Sequence, residues 1–216
     1  MIDDLRHRIL FAAARVYAQH GWRGATTRRI ADEAGVNEVT LFRHFGSKET
    51  LLDEMMQACA TQSDRPTLPL DPQDPQSELY DWMATQHAQL TEIRAIVRQM
   101  ISEATERPMA GGCAAHGPAA AAGELREYVV RLRRSGVIPE HIPPVEVSAA
   151  ATMLMGALFA DAMNRDLMPT MFPQSVDESL RAYVRIFLRG VGALSEPLSS
   201  TPRTLSSPST LTTVSE

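Results

Sequence analysis

Lysine is almost missing from this chain: of its 21 lysine and arginine residues only Lys48 is a lysine. Cysteine is nearly as scarce. Cys59 and Cys113 stand alone, and without a secretory context two cysteines exclude a disulfide framework and point to reduced thiols. No uninterrupted apolar run approaches the roughly 18 residues of a membrane-crossing helix. The opening MetIleAspAsp lacks the basic-then-apolar layout of a signal peptide. These absences predict a cytoplasmic protein with no membrane partner. Also lacking are a glycine-rich phosphate loop and a nucleophile with a paired base, which sets enzymatic function well behind binding. Cys113 and His116 could supply two metal ligands, but a structural zinc site wants four and no second pair has matching spacing. No metal, cofactor or catalytic residue is expected.

What is present is apolar and helical in rhythm. The 216 residues are 44% hydrophobic, enough for one large domain or two small ones with a sizeable core. The net charge of -5 is unevenly spread: residues 1–50 carry eight basic and six acidic groups, and the remainder thirteen basic against twenty acidic. Only the N-terminal part can attract phosphate over distance.

Residues 26–52, TTRRIADEAGVNEVTLFRHFGSKETLL, are the most informative. Thr26 or Thr27 can cap a helix start. Ile30, Ala31 and Ala34 recur at helical spacing as a buried stripe, with Arg28, Arg29, Asp32 and Glu33 largely elsewhere. Gly35 follows, where a residue without Cβ can take the left-handed conformation that ends a helix. Val36 plugs the junction, and Asn37 caps a second helix through His44, with Leu41 and Phe45 facing inward. Glu38, Val39, Thr40 and Arg43 are left outward. Gly46 and Ser47 break and recap the chain, and Lys48 and Glu49 open another helix. Two short helices on a tight glycine turn are the layout that sets its second helix in the DNA major groove.

The run from Thr26 to Leu52 resembles the DNA-binding signature of the tetracycline-repressor (TetR) family of transcriptional regulators. The likeness extends upstream through ArgIleLeuPheAlaAlaAla at 8–14 and TyrAlaGlnHisGlyTrp at 17–22, about fifty residues in all. It implies an all-α homodimer: an N-terminal three-helix bundle with a helix-turn-helix, then a larger helical ligand-binding and dimerisation domain, usually repressing. The family's DNA-binding positions carry over onto Arg28, Glu38, Val39, Thr40, Phe42, Arg43, His44 and Lys48, with the capping residues Thr27 and Asn37 beside them. Where Phe42 stands the family commonly has tyrosine, whose hydroxyl meets a phosphate; phenylalanine keeps the ring but has no hydrogen-bonding group. Glu38 either accepts from a cytosine amino group or sits solvated.

The chain then divides into a reader at 1–47, an effector and dimerisation domain at 48–194, and a Ser/Thr/Pro-rich tail at 195–216 too poor in large apolar groups to fold. Four prolines within 63–75 mark a hinge. A long amphipathic helix is predicted over 76–106 on Leu79, Trp82, Met83, Leu90, Ile93, Val97, Met100 and Ile101. A flexible break covers 107–118, followed by helices over about 119–135, 145–168 and 175–194. The last two resemble the family's dimerisation pair, with Ala149, Ala150, Ala151, Gly156, Ala157, Ala160, Gly190, Gly192 and Ala193 permitting close approach; packing within one monomer is the alternative. Trp82, Met83, His87, Met100, Met153, Met155, Phe159 and Met163 are candidates to line a pliable ligand cavity, or are ordinary core. The expectation is a dimeric repressor released from a palindromic operator by a small apolar or amphipathic effector; a DNA-binding protein of the same fold without an effector stands second.

Overall fold

The helices begin and end where local chemistry dictates. A computed structural model describes residues 2–60, 67–104 and 108–194, with the Cys113 and His116 side chains and the 195–216 tail lying outside the described residues. Among the described residues there are eight helices and no strand: α1 (Ile2–Gly24), α2 (Thr27–Ala34), α3 (Glu38–Phe45), α4 (Lys48–Ala60), α5 (Pro75–Glu103), α6 (Pro108–Arg134), α7 (Pro144–Asn164) and α8 (Val176–Gly190). The Asp74 carboxylate caps α5 by accepting the Ser77 N–H at 3.3 Å, and Pro75 occupies the first turn, where a missing N–H is harmless. Ser175 and Glu178 form a reciprocal capping box at α8.

Two apolar cores result. In the reader, Ile9, Ala13, Tyr17, Ile30, Leu41 and Phe45 close together with Leu51, Leu52, Met55 and Met56 of α4 and with Ile96 and Met100 of α5. Each such large side chain contributes about 1.5–3 kcal/mol relative to exposure. Helix α4, which opens directly after the division predicted at residue 47, packs into this core and also lies against α6. In the body, Leu79, Trp82, Met83, Leu125, Tyr128, Leu132, Leu154, Leu158, Val184 and Leu188 join α5 to α8.

Four expectations are corrected. The stretch 108–118, predicted as a break, is helical: Pro108 fits a first turn, and the alanines at 114, 115 and 119–122 outweigh the cost of the glycines. Helix α7 ends at Asn164 rather than near 168, because Pro169 disfavours the helical conformation at Met168. Helix α8 ends at Gly190 rather than near 194, where Gly192 at φ 71° turns the chain and the N–H groups of Ala193 and Leu194 return to the Leu188 carbonyl. Ile101 is exposed, since it follows Met100 by one residue and points about 100° away from the buried side. The described part of the proline-rich hinge has no helix, yet it is pinned: Leu68 is buried and its N–H donates to Glu124 Oε1 at 2.6 Å.

Helix α7 is long and apolar enough, by length and composition alone, to cross a membrane. Part of that apolarity is spent inward on Val147, Leu154 and Leu158. The rest faces out, with Val145, Ala149, Met153 and Gly156 exposed along one side and Ile186 exposed on α8.

Candidate nucleic-acid interface

The turn between α2 and α3 is built by three residues. The Thr26 hydroxyl accepts the Arg29 N–H at 3.3 Å, starting α2. Gly35 takes φ 65° and ψ 38°, and its N–H bonds to the Asp32 carbonyl at 3.2 Å. Asn37 Oδ1 then accepts the Val39 N–H at 2.9 Å, starting α3 one residue later. Val36, half-buried, packs on the reader's core between the two helices. Ile30, Ala31 and Ala34 of α2 and Leu41 and Phe45 of α3 are buried, which fixes the rotation of α3 and turns its other side outward.

On that outer side Arg28, Val39, Phe42 and Arg43 are exposed, and Thr27, Glu38, Thr40, His44 and Lys48 are half-exposed. Val39 is 64% exposed, unusual for an apolar side chain on so short a helix. Thr27 and Glu38 are brought together: the Thr27 hydroxyl donates to Glu38 Oε1 and ties the start of α2 to that of α3. The exposed Asn37 spends its side-chain oxygen on the cap. The His44 carbonyl accepts from Arg6 Nη1 at 3.1 Å, and the Arg6 guanidinium lies 4.5 Å from the Phe45 ring centroid, bracing the end of α3 from α1.

Lys48 opens α4, which the Ser47 hydroxyl caps by accepting the Thr50 N–H at 3.0 Å. Its ammonium donates to the Trp22 carbonyl and lies 5.6 Å from the indole centroid.

The cavity candidates are spread over several packing clusters. Trp82 and Met83 are buried in the body core, and Met100 in the reader's core. Phe159 packs with Val97, Ala162 and Met163 in a third cluster. Met155 lines an open groove of about 430 Å³ between α6 and α7, with Leu125, Val129 and Val147. Met153, at 72% exposed, lies on the molecular surface. His87 is buried on α5, one turn beyond Met83, and is held by Asp161.

That last pair belongs to a polar knot that sequence reasoning missed. Asp161, fully buried on α7, accepts from His87 Nε2 at 2.9 Å, Arg165 Nε at 2.8 Å and Nη2 at 2.6 Å, and the Tyr183 hydroxyl at 3.0 Å. Arg165 also donates to Ser179 Oγ at 2.9 Å and to the Phe172 and Gln174 carbonyls. Burial alone would raise the Asp161 pKa; hydrogen bonds from Arg165, His87 and Tyr183 outweigh it and hold the carboxyl below its ordinary range. The available signal was a carboxylate near the end of a long apolar run, with an arginine four residues on. Two further buried donors on α5, Trp82 Nε1 and Gln86 Nε2, have no hydrogen-bond partner among the described residues.

Residues 9–55 match the family described as bacterial regulatory proteins, tetR family. Over 55 residues, 26% of this chain, the sequence is 40% identical to the HTH-type transcriptional repressor KstR2 of Mycobacterium tuberculosis. Over 46 residues, 21% of this chain, it is 46% identical to the HTH-type transcriptional repressor AcnR of Corynebacterium glutamicum. The matched stretches span 28% and 24% of those relatives' own lengths. The whole fold extends the likeness: a Mesorhizobium loti protein assigned to the TetR-family transcriptional regulators superposes with a TM-score of 0.69 at 24% identity, covering 87% of this chain and 96% of that one. Residues 9–55 thus match the tetR family of bacterial regulatory proteins, and the chain as a whole shares the all-helical fold of a TetR-family neighbour.

Proposed function

We propose that the chain is a DNA-binding transcriptional regulator that acts as a homodimer, represses from a palindromic operator, and is released by a small apolar or amphipathic effector. The observation that carries DNA binding is α3: capped by Asn37, braced on one side by Leu41 and Phe45, and offering Val39, Thr40, Phe42 and Arg43 on the other. In this arrangement Thr40, Val39 and Glu38 meet base edges, with the Glu38 carboxylate oriented by Thr27 toward a cytosine amino group. Arg43 is offered to a base edge from the same side, and Arg28, His44 and Lys48 meet the backbone. The Phe42 ring has no hydroxyl and contributes packing alone.

Dimerisation is supported by the outward apolar side of α7 and α8. Ala149, Gly156 and Gly190 are exposed there, so these small residues are not used up in the chain's own core. A two-fold pair of readers fits half-sites about 34–36 Å apart. Effector control is supported by Trp82 Nε1 and Gln86 Nε2, which stand one turn apart on α5 and would satisfy a ligand's acceptor inside an apolar body. An effector must bind the released state more tightly than the operator-bound state, or nothing shifts. The reading without an effector is separated by measuring operator affinity across a compound library; invariance throughout removes the effector.

The test of DNA binding is selection of bound fragments from the source genome, followed by affinity measured against salt. Lys48→Ala is expected to weaken all sequences alike and to lower the salt slope by about one per half-site, whereas Thr40→Ala shifts base preference instead. A wild-type protein with no preference for any duplex over heparin at moderate ionic strength would sink the reading.

A further inference from the structure

Helix α1 does not run straight to its end. At Gly21 the backbone turns to φ 64° and ψ -173°, and a Cβ added there would collide with Gln99 Nε2 and Glu103 Oε1. The last turn of α5 therefore sits directly in the break. Glu103 Oε1 accepts the Trp22 backbone N–H at 2.8 Å and Gln99 Nε2 at 2.8 Å, while Oε2 accepts the Tyr17 hydroxyl at 2.9 Å. Trp22 in turn holds Lys48, through its carbonyl and the face of its indole. One carboxylate of the body thus fixes the residue that fixes the ammonium at the start of α4.

We propose that Glu103 is a positioning residue for DNA binding, which by anchoring Trp22 sets where the Lys48 ammonium stands relative to a backbone phosphate. The inference rests on the reading of Lys48 as a phosphate contact. A lysine side chain has four rotatable carbons, and ordering it on arrival of DNA costs entropy that an anchored ammonium has already lost. Glu103 stands on α5, the helix that also carries Trp82 and Gln86.

Two substitutions in the full chain separate position from charge. Glu103→Gln keeps the reach: its amide oxygen accepts from Trp22 and its amide nitrogen donates to the Tyr17 oxygen. Glu103→Asp keeps the charge but draws the carboxylate back by one methylene. Operator affinity is measured across a salt series for both, for Lys48→Ala and for the Glu103→Asp/Lys48→Ala pair, with urea unfolding to verify the fold. The expected result is Glu103→Gln within twofold of wild type. Glu103→Asp is weaker by about tenfold on every duplex, with a slope lower by about one per half-site. The double variant is no weaker than Lys48→Ala alone. The proposal is overturned if Glu103→Gln changes the slope while Glu103→Asp does not, if Glu103→Asp leaves affinity and slope untouched, or if the two losses simply add. Failure of the underlying DNA reading is recognised separately, because the wild-type chain then shows no salt-dependent duplex binding and Lys48→Ala changes nothing.

Discussion

Asp161→Ala is expected to lower the stability of the fold by about 3–5 kcal/mol, the cost of leaving buried partners of an ion pair without their counter-charge. The carboxylate accepts four hydrogen bonds at once, from His87 of α5, from Arg165 just beyond α7 and from Tyr183 of α8, and its loss takes the counter-charge from Arg165 and an acceptor from the Tyr183 hydroxyl and the His87 ring. For a chain of this length that amounts to a fall of roughly 10 °C or more in the unfolding midpoint, measurable by calorimetry or circular dichroism. Asp161→Asn keeps the shape but sets an amide donor against Arg165 and is expected to fall in the same direction. The pH dependence follows from the lowered carboxyl pKa. Since the folded value lies below the unfolded one of about 3.9, the stabilisation is complete at neutral pH and drains away as pH falls through and below that value. The gap between wild type and Asp161→Asn should therefore narrow in strong acid. A wild-type-like midpoint for Asp161→Ala at pH 7 would mean that the apolar core alone holds α5, α7 and α8 together.

Met153→Glu is expected to weaken the proposed dimer by roughly a thousandfold, or about 4 kcal/mol, by placing two unpaired carboxylates in an otherwise apolar interface. The single chain should remain folded, because the Met153 side chain already faces out from α7. Sedimentation equilibrium reads the dissociation constant and thermal unfolding checks the monomer. Operator affinity should fall in parallel, since each reader then binds its half-site alone. A variant that stays fully dimeric at the same concentrations moves the two-fold axis away from α7.

The sequence made α2 and α3 legible because everything that shapes them is local. Thr26 caps a backbone N–H three residues on, Asn37 one two residues on, and Gly35 supplies the single left-handed turn between them. Leu41 and Phe45, one turn apart, then suffice to say which side of α3 is buried. The outward set followed directly, apart from the link between Thr27 and Glu38, which joins two helices and has no periodic signature. What remained hidden depends on distant pairs. Glu103 meets Trp22 across 81 residues and His87 meets Asp161 across 74, and no spacing rule connects them. The candidate cavity residues scattered for the same reason: helical periodicity told that Met100 and Trp82 were buried, but not that α5 passes through two different cores.

The chain's near-total reliance on arginine has a chemical corollary at the base of α4. Reagents and enzymes that acylate side-chain amines find one target here, and that amine is Lys48. Acetylation removes its positive charge and with it the attraction to the Trp22 ring, so a modification this slight would act on the proposed DNA-facing end of the molecule and at no other side-chain amine.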